Sequence, residues 1–445
     1  MTQLPGTHPT AADEVTELCR DLIRIDTSNY GEDRGPGERA AAEYVAAKLA
    51  EVGLDPTLVE SAPGRASVVA RIAGEDSSRG ALLIHGHLDV VPAQAADWSH
   101  GPFEADVVDE PGHGPTIYGR GAVDMKDMDA MTLAVVRDML RSGRRPPRDL
   151  IVAFLADEET GGSRGARWIT QAHPELFEGA TEAISEVGGF SYSVNDDLRL
   201  YLIETAQKGM AWMRLTAEAS AGHGSFVHRD NAVTELCEAV ARLGRHEFPL
   251  ELTDTVRTFL EIASESLGLT LDPEHPEEVV AKLGPISRLI GATLRNTANP
   301  TVLDAGYKHN VIPGMATALV DGRFLPGNAE AFEKQLDAIL GPDIRREYVY
   351  HDEAVETTFD GELVEAMSAA LRAEDPGARA VPYMLAAGTD AKHFSRLGIR
   401  CFGFAPLRLP ADLDFSALFH GVDERVPVAS LQFGVRVLDR LIRAS

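Results

Sequence analysis

Short apolar strand patterns alternate with helical patterns along the first half of this 445-residue chain, and this alternation constrains the fold most. The apolar run Ala81–Ile84 is separated from the apolar run Asp149–Leu155 by an amphipathic pattern of helical spacing at Asp129–Leu140. Strands that alternate with helices form parallel sheets, because each helix returns the chain to start the next strand in the same direction. We therefore predict an α/β fold with a central, mostly parallel sheet.

Side chains that can bind metal follow three of the apolar strands. His87 and Asp89 come after the first strand, Glu158 and Glu159 after the second, and Glu186 after a third, shorter one. Ligands of such sheets bind beyond the carboxyl ends of the strands. We therefore expect these five residues to lie at one edge of the sheet.

Each motif taken alone has a structural alternative. His87 and Asp89 face the same side of a strand, so one can bind a metal while the other holds its imidazole, or the two can form an ordinary polar pair. Glu158 and Glu159 repel each other and need a cation or a raised pKa, unless they lie in a solvated turn. If the pair is functional, Glu159 binds a metal and Glu158 stays free as a general base.

Two further residues complete a set of metal ligands. A glycine-containing loop, Gly119–Lys126, brings Asp124 to the start of a helix, where it can bind a metal or cap the helix. His420 lies far away in the sequence. Two histidines and three carboxylates suit zinc or a related divalent ion, and one carboxylate that bridges two ions is typical of two-metal hydrolases.

Charge and cysteine content exclude several classes of protein. The chain has 42 Lys and Arg against 69 Asp and Glu, a net charge of −27, which argues against nucleic acid and anionic membranes as partners. Its three cysteines, Cys19, Cys237 and Cys401, form no CxxC pair, which argues against a disulfide scaffold and a thiolate zinc site. The first residues show no signal-peptide pattern and no apolar run approaches about 18 residues, so we expect a cytoplasmic protein.

The pattern changes character after about Thr205. A half-exposed strand pattern at Met210–Ala217 precedes a helical one at Asn231–Leu243, and a second such set follows at 308–325 and 329–340. Two strand–helix sets predict a small α+β domain inserted into the first domain. The predicted boundaries are 1–207 for the first catalytic segment, 208–353 for the inserted domain and 354–445 for the second catalytic segment.

In their order along nearly the whole chain, these motifs resemble the aminoacylase / carboxypeptidase G / succinyl-diaminopimelate desuccinylase family of di-zinc metallopeptidases and amidohydrolases. Further matching motifs are Trp98–Phe103, Gly222–Ser225, Asn310–Pro313, Asp321–Arg323 and Gly388–Asp390. The resemblance implies a zinc-exopeptidase (phosphorylase/hydrolase-like) catalytic domain and an inserted ferredoxin-like lid. In similar proteins this lid carries the dimer contact, so the resemblance also implies a homodimer.

The resemblance implies a role for each metal-site residue and a cofactor of two Zn²⁺ per chain, with Co²⁺ or Mn²⁺ as substitutes. His87 and Glu186 would bind one ion, Glu159 and His420 the other, and Asp124 would bridge the two.

The other implied roles concern catalysis and substrate binding. Asp89 would orient His87, and Glu158 would be the general base. His223 would stabilise the oxyanion in the partner's active site, unless it is only a turn residue. The substrate carboxylate would be held by Asn310, Arg323 and the Gly388 N–H, with a structural ion pair as the alternative role of Arg323.

The expected reaction is hydrolysis of an amide bond next to a free carboxylate, most simply in an N-acyl amino acid. The alternative substrate is a dipeptide or the C-terminus of a small peptide. The segment Phe248–Leu289 resembles the longer-lid members, which include N-acyl amino acid hydrolases and carnosinase-like dipeptidases. A non-catalytic metal-binding protein on the same fold is a different class of function, which the combination of Glu158 with a full ligand set disfavours. No strand–GxGxxG–helix unit supports an oxidoreductase.

Overall fold

The computed structural model describes residues 8–445, and within this range no helix is long and apolar enough to cross a membrane. The α-helices are α1 Ala11–Arg24, α2 Arg39–Ala50, α3 Lys126–Arg141, α4 Ala166–Ala172, α5 Ala232–Arg245, α6 Asp254–Ser266, α7 Glu277–Val280, α8 Ser287–Gly291, α9 Ala329–Leu340, α10 Glu362–Glu374, α11 Ala391–Ser395 and α12 Val428–Ala444. The strands are β1 Thr57–Ala62, β2 Arg65–Ile72, β3 Ala81–His87, β4 Val107–Glu110, β5 Gly114–Tyr118, β6 Leu150–Leu155, β7 Ala180–Ser185, β8 Phe190–Ser193, β9 Arg199–Gln207, β10 Gly209–Glu218, β11 Gly222–His223, β12 Thr297–Ala305, β13 Val311–Ile312, β14 Met315–Phe324, β15 Ile344–Asp352, β16 Val355–Glu356, β17 Ala378–Leu385, β18 Arg400–Gly403 and β19 Arg425–Pro427.

The chain forms two compact units. The first unit contains the residues up to Thr205 together with 357–382 and 389–445, and the second contains 206–356 and 383–388. These divisions run close to the boundaries predicted after residues 207 and 353. The second unit also includes the short stretch 383–388, which the sequence prediction placed in the catalytic domain.

The first unit is built on a mixed sheet whose central strands are parallel. The strand order is β1-β2-β6-β3-β7-β18-β9, in which β6, β3, β7 and β18 are mutually parallel and the outer pairs are antiparallel. Leu83 and Ile151 of this sheet pack in one apolar cluster with Ile169 of α4 and Phe394 of α11. The prediction of an α/β fold with a largely parallel central sheet is confirmed.

The second unit contains a four-stranded antiparallel sheet with two helices in its core. The strand order β12-β14-β10-β15, in the chain order β10-α5-β12-β14-α9-β15, is a ferredoxin-like topology. Alternate residues of β14, among them Ala318 and Val320, face the core formed with Leu236 of α5 and Phe332 of α9. The edge strand β12 is exposed along its second half, 301–305.

Phe332→Ala is expected to lower the free energy of unfolding by about 3–5 kcal/mol, because it empties a fully buried aromatic position. The Phe332 ring lies 5.4 Å from that of Phe248 and 5.8 Å from that of Phe324. Chemical denaturation measures the loss. Phe226→Ala, at a side chain that is 70 % exposed, is the matched control and should stay within about 0.5 kcal/mol. Equal losses in the two variants would contradict this core.

Candidate metal centre

The parallel strands bring the predicted residues to one edge of the sheet. His87 is the last residue of β3 and pairs in register with Leu155, the last residue of β6. The chain then turns through Glu158–Thr160, a single turn of 3₁₀ helix, and Glu186 directly follows β7. Because parallel strands all end on the same side, residues distant in sequence meet there.

Five side chains form two groups of potential metal ligands that share one carboxylate. In the first group, His87 Nε2 lies 3.1 Å from Asp124 Oδ1 and 3.5 Å from Glu186 Oε2. In the second, His420 Nε2 lies 3.2 Å from Asp124 Oδ2 and 3.1 Å from Glu159 Oε2. Asp124 therefore directs one oxygen into each group, which is the geometry of a bridging ligand.

Asp124 is not the cap of the following helix. α3 begins at Lys126, and the residue before it, Met125, makes no capping hydrogen bond through its side chain. The loop that carries Asp124 is instead held by Glu424, a buried carboxylate that the sequence analysis did not single out. Its oxygens accept hydrogen bonds from Arg120 Nη1 at 2.6 Å, Gly121 N at 3.0 Å, Val123 N at 2.7 Å and Asp124 N at 3.1 Å.

The orientation of His87 is set by the backbone of Asp89. His87 Nδ1 lies 2.9 Å from the Asp89 carbonyl oxygen, which can only accept, so Nδ1 carries the proton and Nε2 is free to bind a metal. The Asp89 carboxylate lies farther away, 3.6 Å from Nδ1. It accepts hydrogen bonds from the backbone N–H groups of Glu158 at 3.0 Å and Glu159 at 3.2 Å. The side chain of Asp89 thus organises the turn after β6, a contact that the sequence did not predict.

Burial and like charge dominate the electrostatics of the site. Burial raises the pKa of Glu158 well above its ordinary value, with the charge of Glu186 adding to the effect. Burial and the charge of Asp124 raise the pKa of Glu159 to about 7. Burial opposes ionisation of Asp124 as well, but its hydrogen bonds with the rings of His420 and His87 hold its pKa below the ordinary value.

The donor set fits a divalent metal. Imidazole nitrogens and carboxylate oxygens, with no thiolate, suit zinc and related divalent ions. A cation placed among Asp124, Glu159 and Glu186 would offset the repulsion of carboxylates that are removed from water. The described residues thus form a cluster suited to divalent metal.

Adding Zn²⁺ to chelator-treated protein is expected to raise Tm. An ion that binds only the folded state stabilises it by about 2.7 kcal/mol when its free concentration is 100-fold above Kd. Differential scanning calorimetry measures the shift, with KCl of equal ionic strength as the control. An equal shift in an Asp124→Asn variant would show that Zn²⁺ acts elsewhere.

The second unit holds the remaining predicted residues, and it brings His223 and Asn310 together. His223 is on β11, opposite Val311 of β13, and Gly224 N donates to the Asn310 carbonyl oxygen at 3.0 Å. The His223 side chain is exposed, and its Nδ1 lies 2.8 Å from Ser225 Oγ.

Arg323 lies in the four-stranded sheet, on β14, and not in the two-stranded β11–β13 pair. It is near the end of β14, a rise of about 27 Å from the first residue of that strand, Met315. Its guanidinium pairs with Asp321 at 2.7 and 3.2 Å, as the structural alternative expected. Gly388 follows β17 in the short stretch assigned to this unit. Asn310 and β13 precede the start of β14, so Arg323 lies at the opposite end of that strand from the segment that carries Asn310.

The sequence profile of the family described as Peptidase family M20/M25/M40 matches residues 83–444. The chain belongs to this family. A member of family M20/M25/M40 with these residues is a metal-dependent hydrolase that acts on amide or peptide bonds. This agrees with the family resemblance drawn from the motifs.

Individual relatives extend over nearly the whole chain. Aminoacylase-1 of Homo sapiens is 28 % identical over 437 residues, covering 96 % of this chain and 94 % of its own length. The structure of an M20 family metallo-carboxypeptidase from Sulfolobus solfataricus superimposes with a TM-score of 0.72 at 18 % identity, covering 97 % and 99 % of the two chains. The YXEP protein of Bacillus subtilis, described as a dinuclear metal-binding peptidase of the M20 family, superimposes with a TM-score of 0.60 at 13 % identity, covering 97 % of each chain.

Proposed function

We propose that this protein is a dinuclear zinc hydrolase that removes the acyl group from N-acyl amino acids. The observation that carries the proposal is the shared carboxylate: Asp124 directs one oxygen into each of two ligand groups, and Glu158 directly precedes the ligand Glu159 in the chain. In this proposal His87 and Glu186 hold one Zn²⁺, and Glu159 and His420 hold the other. Co²⁺ or Mn²⁺ are substitutes with the same ligand preferences.

Glu158 is the proposed general base. When bound, the metal ions supply Lewis acidity that lowers the pKa of a water and polarises the amide carbonyl. Glu158 takes a proton from the attacking water and later gives it to the departing amide nitrogen. Two observations support this assignment. Burial raises its pKa above the ordinary value, as expected for a carboxyl group removed from water, and the Asp89 carboxylate accepts its backbone N–H at 3.0 Å.

The substrate-binding residues are proposed to come from two copies of the chain. Arg323 and the Gly388 N–H bind the substrate carboxylate of their own copy. His223, with the adjacent Asn310, assists at the oxyanion and the carboxylate of the partner's site. The position of Arg323 near the end of β14 supports this division, because β13 and the adjacent Asn310 precede the start of that strand, and β13 pairs with β11, which carries His223. The exposed half of β12 offers an edge for pairing across a two-fold axis.

The choice of N-acyl amino acids over peptides rests on the name of the human relative, an aminoacylase that matches nearly the whole chain. A carboxypeptidase or dipeptidase remains the second candidate, since the Sulfolobus enzyme is described as a carboxypeptidase. An acyl chain needs an apolar wall in the substrate pocket, whereas a dipeptide needs a partner for its free amino group.

The test combines metal content with release of amine from N-acetyl amino acids, long-chain N-acyl amino acids and dipeptides. About two ions per chain and chelator-sensitive release from the acyl substrates are expected. An amide analogue that lacks the free carboxylate is the matched control and should react poorly. Preference for dipeptides would instead favour the second candidate, a dipeptidase or carboxypeptidase. Two bound ions without turnover of any substrate would favour a non-catalytic metal-binding protein.

A further inference from the structure

A single buried asparagine, Asn29, joins Asp89, which follows β3, to Asp157, which follows β6. Asn29, 3 % exposed, donates from Nδ2 to Asp89 Oδ2 at 2.9 Å and to Asp157 Oδ1 at 3.0 Å. Its Oδ1 accepts from Arg65 Nη2 at 3.0 Å and from Gly31 N at 3.0 Å. Both the NH₂ group and the oxygen of the Asn29 amide thus have two hydrogen-bond partners each inside the first unit.

A buried ion pair determines which way the Asn29 amide points. Arg65 and Glu38 are 3 % and 0 % exposed, and Arg65 Nη1 lies 2.5 Å from Glu38 Oε1. A guanidinium has only donors, so the side of the amide that faces Arg65 must be the oxygen. The NH₂ group then faces the carboxylates of Asp89 and Asp157, which have only acceptors when ionised.

Asp89 and Asp157 hold the backbone segments that carry the proposed metal ligands and the proposed general base. Asp89 accepts the N–H groups of Glu158 and Glu159, and its carbonyl oxygen holds His87. Asp157, whose backbone has a positive φ of 67°, accepts from Arg164 N at 2.8 Å and so spans the turn after β6. Without a shared donor, two buried carboxylates on neighbouring segments would repel each other.

We propose that Asn29 is a positioning residue of the metal centre and that the Arg65–Glu38 pair acts through it. Asn29 keeps Asp89 and Asp157 at a set separation, and thereby holds His87 and the Glu158–Glu159 turn in the geometry that binds metal and activates water. The inference rests on the proposed function for its catalytic part, while its metal-binding part needs only Zn²⁺.

The first test is Asn29→Leu, which keeps the side-chain shape and removes the donor. Zn²⁺ affinity, measured by competition with a chromogenic chelator, should fall about 10–100-fold, as is typical when a partner of a metal ligand is lost. We expect kcat to fall over the same range while KM changes little, because Asn29 does not contact substrate. Tyr201→Phe is the matched control: it removes another buried hydrogen bond to a carboxylate, that of Asp375, elsewhere in the first unit.

The proposal is overturned if Asn29→Leu loses only thermal stability, as Tyr201→Phe should, and keeps the Zn²⁺ affinity and kcat of the unchanged protein. A failure of the proposed function looks different, because the unchanged protein would then hydrolyse none of the substrates. In that case the Zn²⁺ measurement still decides the role of Asn29. A protein that binds no Zn²⁺ at all would overturn both proposals.

A second variant tests whether the Arg65–Glu38 pair acts through Asn29, and it avoids leaving a buried charge without a partner. Arg65→Met combined with Glu38→Met replaces the ion pair with apolar groups, which is tolerated far better than breaking a buried pair. It should weaken Zn²⁺ binding less than Asn29→Leu does. When all three changes are combined, the affinity should match that of Asn29→Leu alone, because the pair acts through the amide. Fully additive losses would contradict this pathway.

Discussion

Glu158→Gln is expected to lower kcat by about 10²–10⁴-fold while the protein keeps its metal ions. The amide occupies the same space as the carboxyl group but cannot take a proton from water. Glu158 belongs to neither group of ligands, so metal content should stay unchanged. Steady-state kinetics and elemental analysis of the same preparation measure the two effects together.

Glu178→Gln, at an exposed side chain of the same unit, is the matched control for loss of one carboxylate and should behave as the unchanged protein. A Glu158→Gln variant with unchanged kcat would show that Glu158 is not the general base. If instead the variant lost its metal, Glu158 would have to be reassigned as a ligand.

Asp124→Asn is expected to remove both metal ions and reduce hydrolysis to background. Asp124 is the one residue common to both groups of ligands, so its loss weakens two sites at once. The effect should exceed the 10–100-fold loss of affinity that follows removal of a partner outside the ligand set. Elemental analysis after dialysis against a buffered Zn²⁺ concentration measures the stoichiometry.

Two single-site variants provide the comparison. Glu186→Gln should weaken the ion of the first group and Glu159→Gln that of the second, because each belongs to one group only. The bridge predicts that Asp124→Asn loses more metal than either. Loss of a single ion in Asp124→Asn, with the other fully retained, would contradict the bridging geometry.

Local sequence patterns predicted much of the first unit well. α3, Lys126–Arg141, contains the predicted helix Asp129–Leu140, and β6 lies within the predicted strand Asp149–Leu155. Fully buried strands are continuous apolar runs and amphipathic helices repeat on one face, so both are visible in a short window. By contrast, β12 was not recognised, because its exposed second half and Pro300 leave no apolar alternation.

The long segment Phe248–Leu289 contains α6, α7 and the start of α8. Its residues Phe259 and Leu260 are fully buried, so it is a packed part of the second unit.

By itself, the sequence determined the fold class, the order of the motifs and the candidate ligands. These follow from residue type, local periodicity and the rule that parallel strands end at one edge. Tertiary structure alone decided which partners hold those ligands. Glu424 accepts a hydrogen bond from Asp124 N, 300 positions away in the sequence. Asn29 donates to Asp89, 60 positions away, and to Asp157, 128 positions away. A buried asparagine or glutamate has no local signature, because only the folded chain brings its hydrogen-bond partners within 3 Å or so of it.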